Sequence, residues 1–99
     1  MIKVSVIYPR SEGSHFDADY YAQKHLPMAK ALFGNLCQRI ELQVAVSDSQ
    51  PFHAVGEMVF ESVDAMKQAF KPNIKALQED LVNYSNVTPV QQMSVLTEI

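Results

Sequence analysis

The residues with the most chemical potential in this 99-residue chain lie in Phe16–Pro27, F-D-A-D-Y-Y-A-Q-K-H-L-P. The stretch opens as a capped helix. Asp17 is a good N-cap, Asp19 sits near the positive end of the helix dipole, and Phe16 and Tyr21 occupy hydrophobic-staple positions. Tyr21, His25, Met28 and Leu32 fall at i, i+4, i+7 and i+11, which is one apolar stripe. Pro27 has no N–H to offer the carbonyl of Gln23, and its ring crowds that carbonyl. It also disfavours helical geometry at Leu26, so the helix is expected to kink or loosen around residues 23–27. A partly buried His25 would favour its neutral form, which can take a proton near pH 7, as a general base must. The alternative is a histidine bonded to a backbone carbonyl near the break, holding the helix in place.

Other chemistry is weaker. His15 lies in a polar loop and is expected to be solvated. His53 opens a strand on the phase of Val55 and Glu57, facing an open sheet surface or its rim. Three dispersed histidines without an H-x-x-x-H pair, and none near Cys37, make a poor metal argument, so no metal is expected. Asp80, near the end of the second helical region, is a lone carboxylate whose role stays open, with an exposed helix residue as the plain alternative. Cys37 sits in strand phase with no activating neighbour in sequence. No carboxylate pair, nucleophile elbow or glycine-rich phosphate loop is present. Tyr8, Tyr20, Tyr21, Phe33, Phe60, Phe70 and Tyr84, with Met28, Met58 and Met66, are candidates for lining an apolar pocket, although core packing would explain most of them. Tyr8 and Tyr21 stand apart, because a buried phenol needs a partner and can bind a ligand oxygen.

The elements that must position these residues alternate in type. Ile2–Tyr8 alternates as a strand ended by Pro9, with Ile2, Val4, Val6 and Tyr8 on one face. Gly34 and Asn35 stop the first helix. Leu36–Ser47 and Ala54–Glu61 alternate again, separated by the loop D-S-Q-P-F. Ser62 caps a second helix that Pro72 interrupts, with a continuation carrying Ile74, Leu77 and Leu81. A last strand runs to the C-terminus with Met93, Val95, Thr97 and Ile99 on one face. This β-α-β-β-α-β order predicts a single α+β domain over residues 1–99, with two helices on one face of an antiparallel ferredoxin-like sheet.

The second face of every strand is polar but interrupted by Ile7, Val55, Val59 and Leu96. That mixture predicts a homodimer with the two open sheet faces together, against the alternative of a solvated face. Net charge is −3 with no run of like charges, which argues against nucleic acid as a partner. No segment is apolar for long enough to span a membrane or act as a signal-peptide core, and one cysteine allows no internal disulfide. The expectation is a cytoplasmic protein.

Several motifs resemble the EthD family: M-I-K-V-S-V-I-Y-P, F-D-x-D-Y-Y-x-x-K-H-L-P, H-A-V-G-E-M-V-F-E-S (His53–Ser62) and E-D-L-V-N-Y (Glu79–Tyr84). Together they cover nearly the whole chain, and the H-x-P helix ending is the most specific. The family takes its name from a protein associated with bacterial ethyl tert-butyl ether degradation. The resemblance implies a dimeric α/β-barrel built from two ferredoxin-like subunits, with His25 in a pocket between helix and sheet. Relatives of this architecture bind small, often aromatic or cyclic molecules there, and some oxidise, isomerise, cyclise or decarboxylate them without a metal.

The resemblance therefore implies a cofactor-independent enzyme acting on a hydrophobic or aromatic small molecule. His25 would be the general base, with Tyr21 or Tyr8 assisting. A non-catalytic carrier or sensor using the same pocket is the alternative. Haem binding, known in other dimeric-barrel families, is disfavoured by the lack of tryptophan and of a second well-placed histidine. Similar sequences often carry Ser-Pro at the second helix break, where this chain has Lys71-Pro72 and so lacks that cap.

Overall fold

The computed structural model describes residues 1–99. In β1 (Ile2–Pro9), Val4, Val6 and Tyr8 are buried while Lys3, Ser5 and Ile7 are half-buried on the other face. This period-two alternation distinguishes the two sides of the sheet. The same phase continues in β3 (Phe52–Phe60), where Ala54, Gly56, Met58 and Phe60 are buried opposite Val55 and Glu57. With β2 (Cys37–Val44) and β4 (Val90–Val95) these strands form one antiparallel sheet in the order β2-β3-β1-β4. This is the ferredoxin-like arrangement, and its element order matches the sequence expectation. Two strands are shorter than their alternation predicts. β2 stops at Val44, leaving Val46 outside, and β4 stops at Val95 rather than continuing to Ile99.

The helices cover one sheet face. The first helical arm consists of α1 (Ala18–Tyr20), a π-helical turn (Tyr21–His25) and α2 (Leu26–Phe33). The Asp17 carboxylate caps its start by accepting the Tyr20 N–H at 3.0 Å, and Gly34, at φ 56°, ends it. The expected irregularity before Pro27 is therefore a π-turn, closed by the Leu26 N–H donating to the Tyr21 carbonyl. Leu26 itself remains helical at φ −66°, ψ −38°, contrary to the expectation that proline would expel it. The wider turn absorbs the steric demand of the proline without breaking the arm.

The extra residue in that turn rotates everything after it. Tyr21 and His25 stay buried, but the stripe continues through Leu26, Ala29 and Phe33. Met28 is only half-buried and Leu32 is exposed, so neither holds the inward position that regular α-helical spacing assigns it.

The second helical region comprises α3 (Val63–Phe70), α4 (Ile74–Glu79) and a 3-10 turn (Asp80–Asn83). Ser62 caps α3 through the Ala65 N–H at 3.1 Å. At the Lys71-Pro72 break, Asn73 takes over the capping: its side-chain amide donates to the Ala69 carbonyl at 2.8 Å. No helix is long and apolar enough to cross a membrane.

One continuous hydrophobic core carries two aromatic lobes. Phe33, Phe60 and Phe70 meet at centroid distances of 4.8–5.8 Å in one of them. Tyr8, Phe16, Tyr21 and Tyr84 cluster in the other, at 4.8–5.9 Å. Complete burial of a ring such as Phe60 contributes about 1.5–3 kcal/mol. The absence of a side chain on Gly56 makes room for the second lobe. A Cβ there would collide with the Tyr21 hydroxyl and lie 3.3 Å from its Cζ.

Gly56→Ala is accordingly expected to lower stability by about 1–3 kcal/mol, the usual range for overpacking. Urea unfolding checks this. The Gly56→Ala, Tyr21→Phe double variant, which removes the colliding oxygen, should lose less than the sum of the two single variants.

Candidate functional site

The π-turn places His25 one turn beyond Tyr21 on the inner face, with the rings stacked at 5.1 Å and 15°. The Tyr84 ring lies 4.7 Å from the imidazole. Tyr84 is held there by strong cross-links between the loop after β1 and the segment after the 3-10 turn. The Asp17 N–H donates to the Tyr84 carbonyl at 2.7 Å, and the Ser85 hydroxyl to the His15 carbonyl at 2.7 Å. Asn86 closes the same seam by accepting the His15 N–H and donating to the Gly13 carbonyl.

His25 is not bonded to a backbone carbonyl. Its Nδ1–H donates to the Asp80 carboxylate at 2.9 Å. Asp80 also accepts from the Tyr20 hydroxyl at 2.8 Å and from the Asn83 amide at 2.9 Å. Its side chain is only 15% exposed, which excludes the alternative of Asp80 as a solvated helix residue. Burial raises its carboxyl, but the hydrogen bonds from Asn83, His25 and Tyr20 outweigh that and hold it below the usual carboxylate range. An ionised Asp80 accepts only, so it fixes the proton on Nδ1 and leaves Nε2 as the free position. Nε2 has no protein partner, and no buried side-chain polar atom goes unpaired, so Nε2 is accessible.

Facing His25 is a group of phenols. The Tyr8 and Tyr84 hydroxyls are 2.9 Å apart, and Tyr8 and Tyr21 are in a longer 3.5 Å contact. Burial, then the neighbouring Tyr21, raises Tyr8 well above the ordinary tyrosine value; burial also raises Tyr21 and pushes Tyr84 up to about 12. All three therefore remain O–H groups at neutral pH. Three protons serve two mutual contacts, one of them too long to be strong. At least one O–H is left for a ligand oxygen.

These groups open into a cavity of about 370 Å³ between helices and sheet. Its floor is Val6, Tyr8 and Met58, its walls are Tyr21, His25, Leu26, Ala29, Phe70, Leu77, Leu81 and Tyr84, and its mouth includes Ile74, Gln78, Thr88, Pro89 and Gln91. The structure thus brings His25, Tyr21, Tyr8, Met58, Phe70 and Tyr84 together. Phe33, Phe60 and Met66 are buried in the core without lining the cavity, and Met28 lies off the cavity because of the rotated stripe. The sequence reading missed the Asp80 pairing with His25, and Leu26 and Ala29 as walls. The repeated four-residue steps through Tyr21, His25, Ala29 and Phe33, longer than the period of a regular helix, were the available signal for a wider turn.

Of the remaining candidates, His15 is exposed. His53 turns toward the β1 loop, where its Nε2 lies 2.8 Å from the Ser14 hydroxyl and its ring stacks on Phe16. Burial raises the Cys37 thiol, which keeps it protonated.

A ferredoxin-like α+β domain with a cavity between its helices and sheet, walled by histidine and tyrosine, defines the class. The EthD domain profile matches residues 14–88, and the chain belongs to the EthD family. An EthD-like protein of Ralstonia eutropha JMP134 is 32% identical over 94% of this chain and 88% of its own, with a TM-score of 0.83. An EthD family protein of Bacillus halodurans C-125 is 16% identical, covering 98% of this chain and 99% of its own at a TM-score of 0.75. A candidate antibiotic biosynthesis monooxygenase of Deinococcus radiodurans shares the fold at 19% identity, with coverage of 99% and 93% and a TM-score of 0.66. No protein among the curated sequences matches the chain.

The Asp80 network has a pH signature. Its carboxyl is depressed on folding, so its stabilisation is complete above the unfolded value of about 3.9 and is lost as pH falls through the lower, folded one. Asp80→Asn should therefore be less stable than wild type at about pH 7, with the gap closing toward about pH 3. Urea midpoints across that range test this, and a pH-independent gap would exclude the ionised carboxylate as the cause.

Proposed function

We propose that this EthD-family protein is a small enzyme performing acid–base chemistry on a hydrophobic or aromatic molecule bound in the cavity. The observation that carries this reading is the imidazole held by Asp80 with Nε2 free, set among phenols with an uncommitted proton. Nε2 takes a proton from an acidic C–H or O–H of the substrate. The electron pair moves onto a substrate oxygen, which a tyrosine O–H stabilises by hydrogen bonding. Return of that proton to another carbon completes an isomerisation, and attack of the carbanion on an internal carbonyl completes a cyclisation.

An oxygenase outcome begins with the same deprotonation. With dioxygen as oxidant, the carbanion at a substrate CH2 forms a C–OOH bond, and loss of the remaining C–H proton breaks the O–O bond, leaving C=O on the substrate and releasing water. The description of the Deinococcus protein as a candidate monooxygenase supports including this outcome.

A panel of enolisable aryl ketones and naphthols, followed by deuterium exchange and mass spectrometry, tests the chemistry. His25→Gln should lower any observed rate by about 10²–10⁴-fold while leaving the circular dichroism spectrum unchanged. Full activity in His25→Gln would remove the base from the mechanism. Ligands that bind but never exchange or convert would favour a carrier or sensor.

The functional unit in this reading is a homodimer through the open sheet faces. On that face Glu57 collects Lys3 at 3.4 Å, Ser5 at 3.2 Å and Gln43 at 2.8 Å, beside Ile7, Val55 and Val59. Its charges are met internally, so the face can be covered by another copy without stranding them. Val55 lies between Ile7 and Gln43 in the register. Sedimentation should show a wild-type dimer and a monomeric Val55→Arg; a monomeric wild type at micromolar concentrations would refute the assembly.

A further inference from the structure

We propose that the ligand of this cavity is an uncharged hydroxy- or oxo-arene, not a carboxylate or phosphate. The inference rests on the reading of the cavity as a small-molecule site and narrows its ligand class. No lysine or arginine lines the cavity. His25 is the one lining group able to carry positive charge, and that charge already faces Asp80 at 2.9 Å. The phenols offer neutral O–H donors, raised by burial away from ionisation.

The mouth is equally uncharged, with Gln78, Thr88 and Gln91 as its polar groups. Lys75, on the helix that supplies Ile74, Leu77 and Gln78, points at Glu79 3.9 Å away and does not line the cavity. An anion entering here would leave water with no cation to meet it, which disfavours it strongly against a neutral ligand of the same shape. A neutral arene keeps its ring on Leu26, Ala29, Met58 and Phe70. Its hydroxyl or carbonyl oxygen reaches the tyrosines, and its acidic proton faces Nε2.

The test is a matched pair with one bicyclic ring system, 2-naphthol and 2-naphthoate, titrated by fluorescence against the wild-type protein at about pH 7, where the first is uncharged and the second ionised. 2-Naphthol should bind at least about tenfold more tightly. Ala29→Phe, which fills the cavity, should abolish that binding. Gln78→Arg should raise naphthoate affinity by about tenfold with little change for naphthol.

Naphthoate binding as tightly as naphthol would overturn the neutral-ligand inference and leave the cavity reading intact. Saturable naphthol binding that survives Ala29→Phe would overturn the inference by placing the ligand elsewhere, as would a naphthoate affinity unmoved by Gln78→Arg. Failure of both ligands to bind would remove the inference together with the cavity reading.

Discussion

The missing N–H of Pro27 is the constraint on which the site depends. A regular α-helix would direct that donor at the Gln23 carbonyl and press the proline ring against it. The chain instead widens one turn, with the Leu26 N–H reaching back to the Tyr21 carbonyl. The widened turn keeps residues 21 and 25 stacked on the inner face and brings 29 and 33 inward after them. Without it, the stripe would run through Met28 and Leu32, and Ala29 would leave the wall of the cavity. A small residue at position 29 and a glycine at 56 are both needed, because each marks where a larger group would occupy cavity or tyrosine space.

A histidine placed by this turn needs a partner that its own helix does not supply. Asp80 comes from 55 residues further along, on the 3-10 turn that ends the second helical region. The pairing holds only if that region stops at the right height, and two features set it. Pro72 and the Asn73 amide end α3 and restart the chain as α4. The Ser85 and Asn86 bonds to the β1 loop then anchor the far end. Tyr20 and Asn83 both donate to the other carboxylate oxygen of Asp80, so the carboxylate stays ionised although largely hidden from water. Local capping and long-range polar contacts thus converge on one imidazole orientation.

Much of the fold was legible in the sequence, because strand alternation, the Asp17 and Ser62 caps and the Gly34 stop are local signals. Local irregularity at 23–27 was legible too, since proline announces it, but its form was not. Proline excludes one hydrogen bond without specifying whether the chain kinks, breaks or adds a residue to the turn, and that choice decided Met28 against Ala29. The reading of Leu26 as non-helical failed for the same reason: packing around a π-turn overrode a pairwise steric preference. Asp80 was invisible as a partner because a lone carboxylate at a helix end looks solvated until the fold brings Tyr20, His25 and Asn83 around it. Phe33 and Phe60 have the right chemistry for a pocket but pack on each other and on Phe70, and Met66 is buried without reaching the cavity.

The same alternation that builds the sheet separates its two surfaces by a single residue. Gly56 supports Tyr21 on the helix side, while Glu57 gathers Lys3, Ser5 and Gln43 on the other. A shift of one residue in β3 would put a carboxylate against the buried phenols and a glycine on the open face. Register is therefore under pressure from both sides at once, since each face would reject the other's residues. That coupling explains how 99 residues can maintain an uncharged cavity and a polar, internally paired surface within the thickness of one sheet.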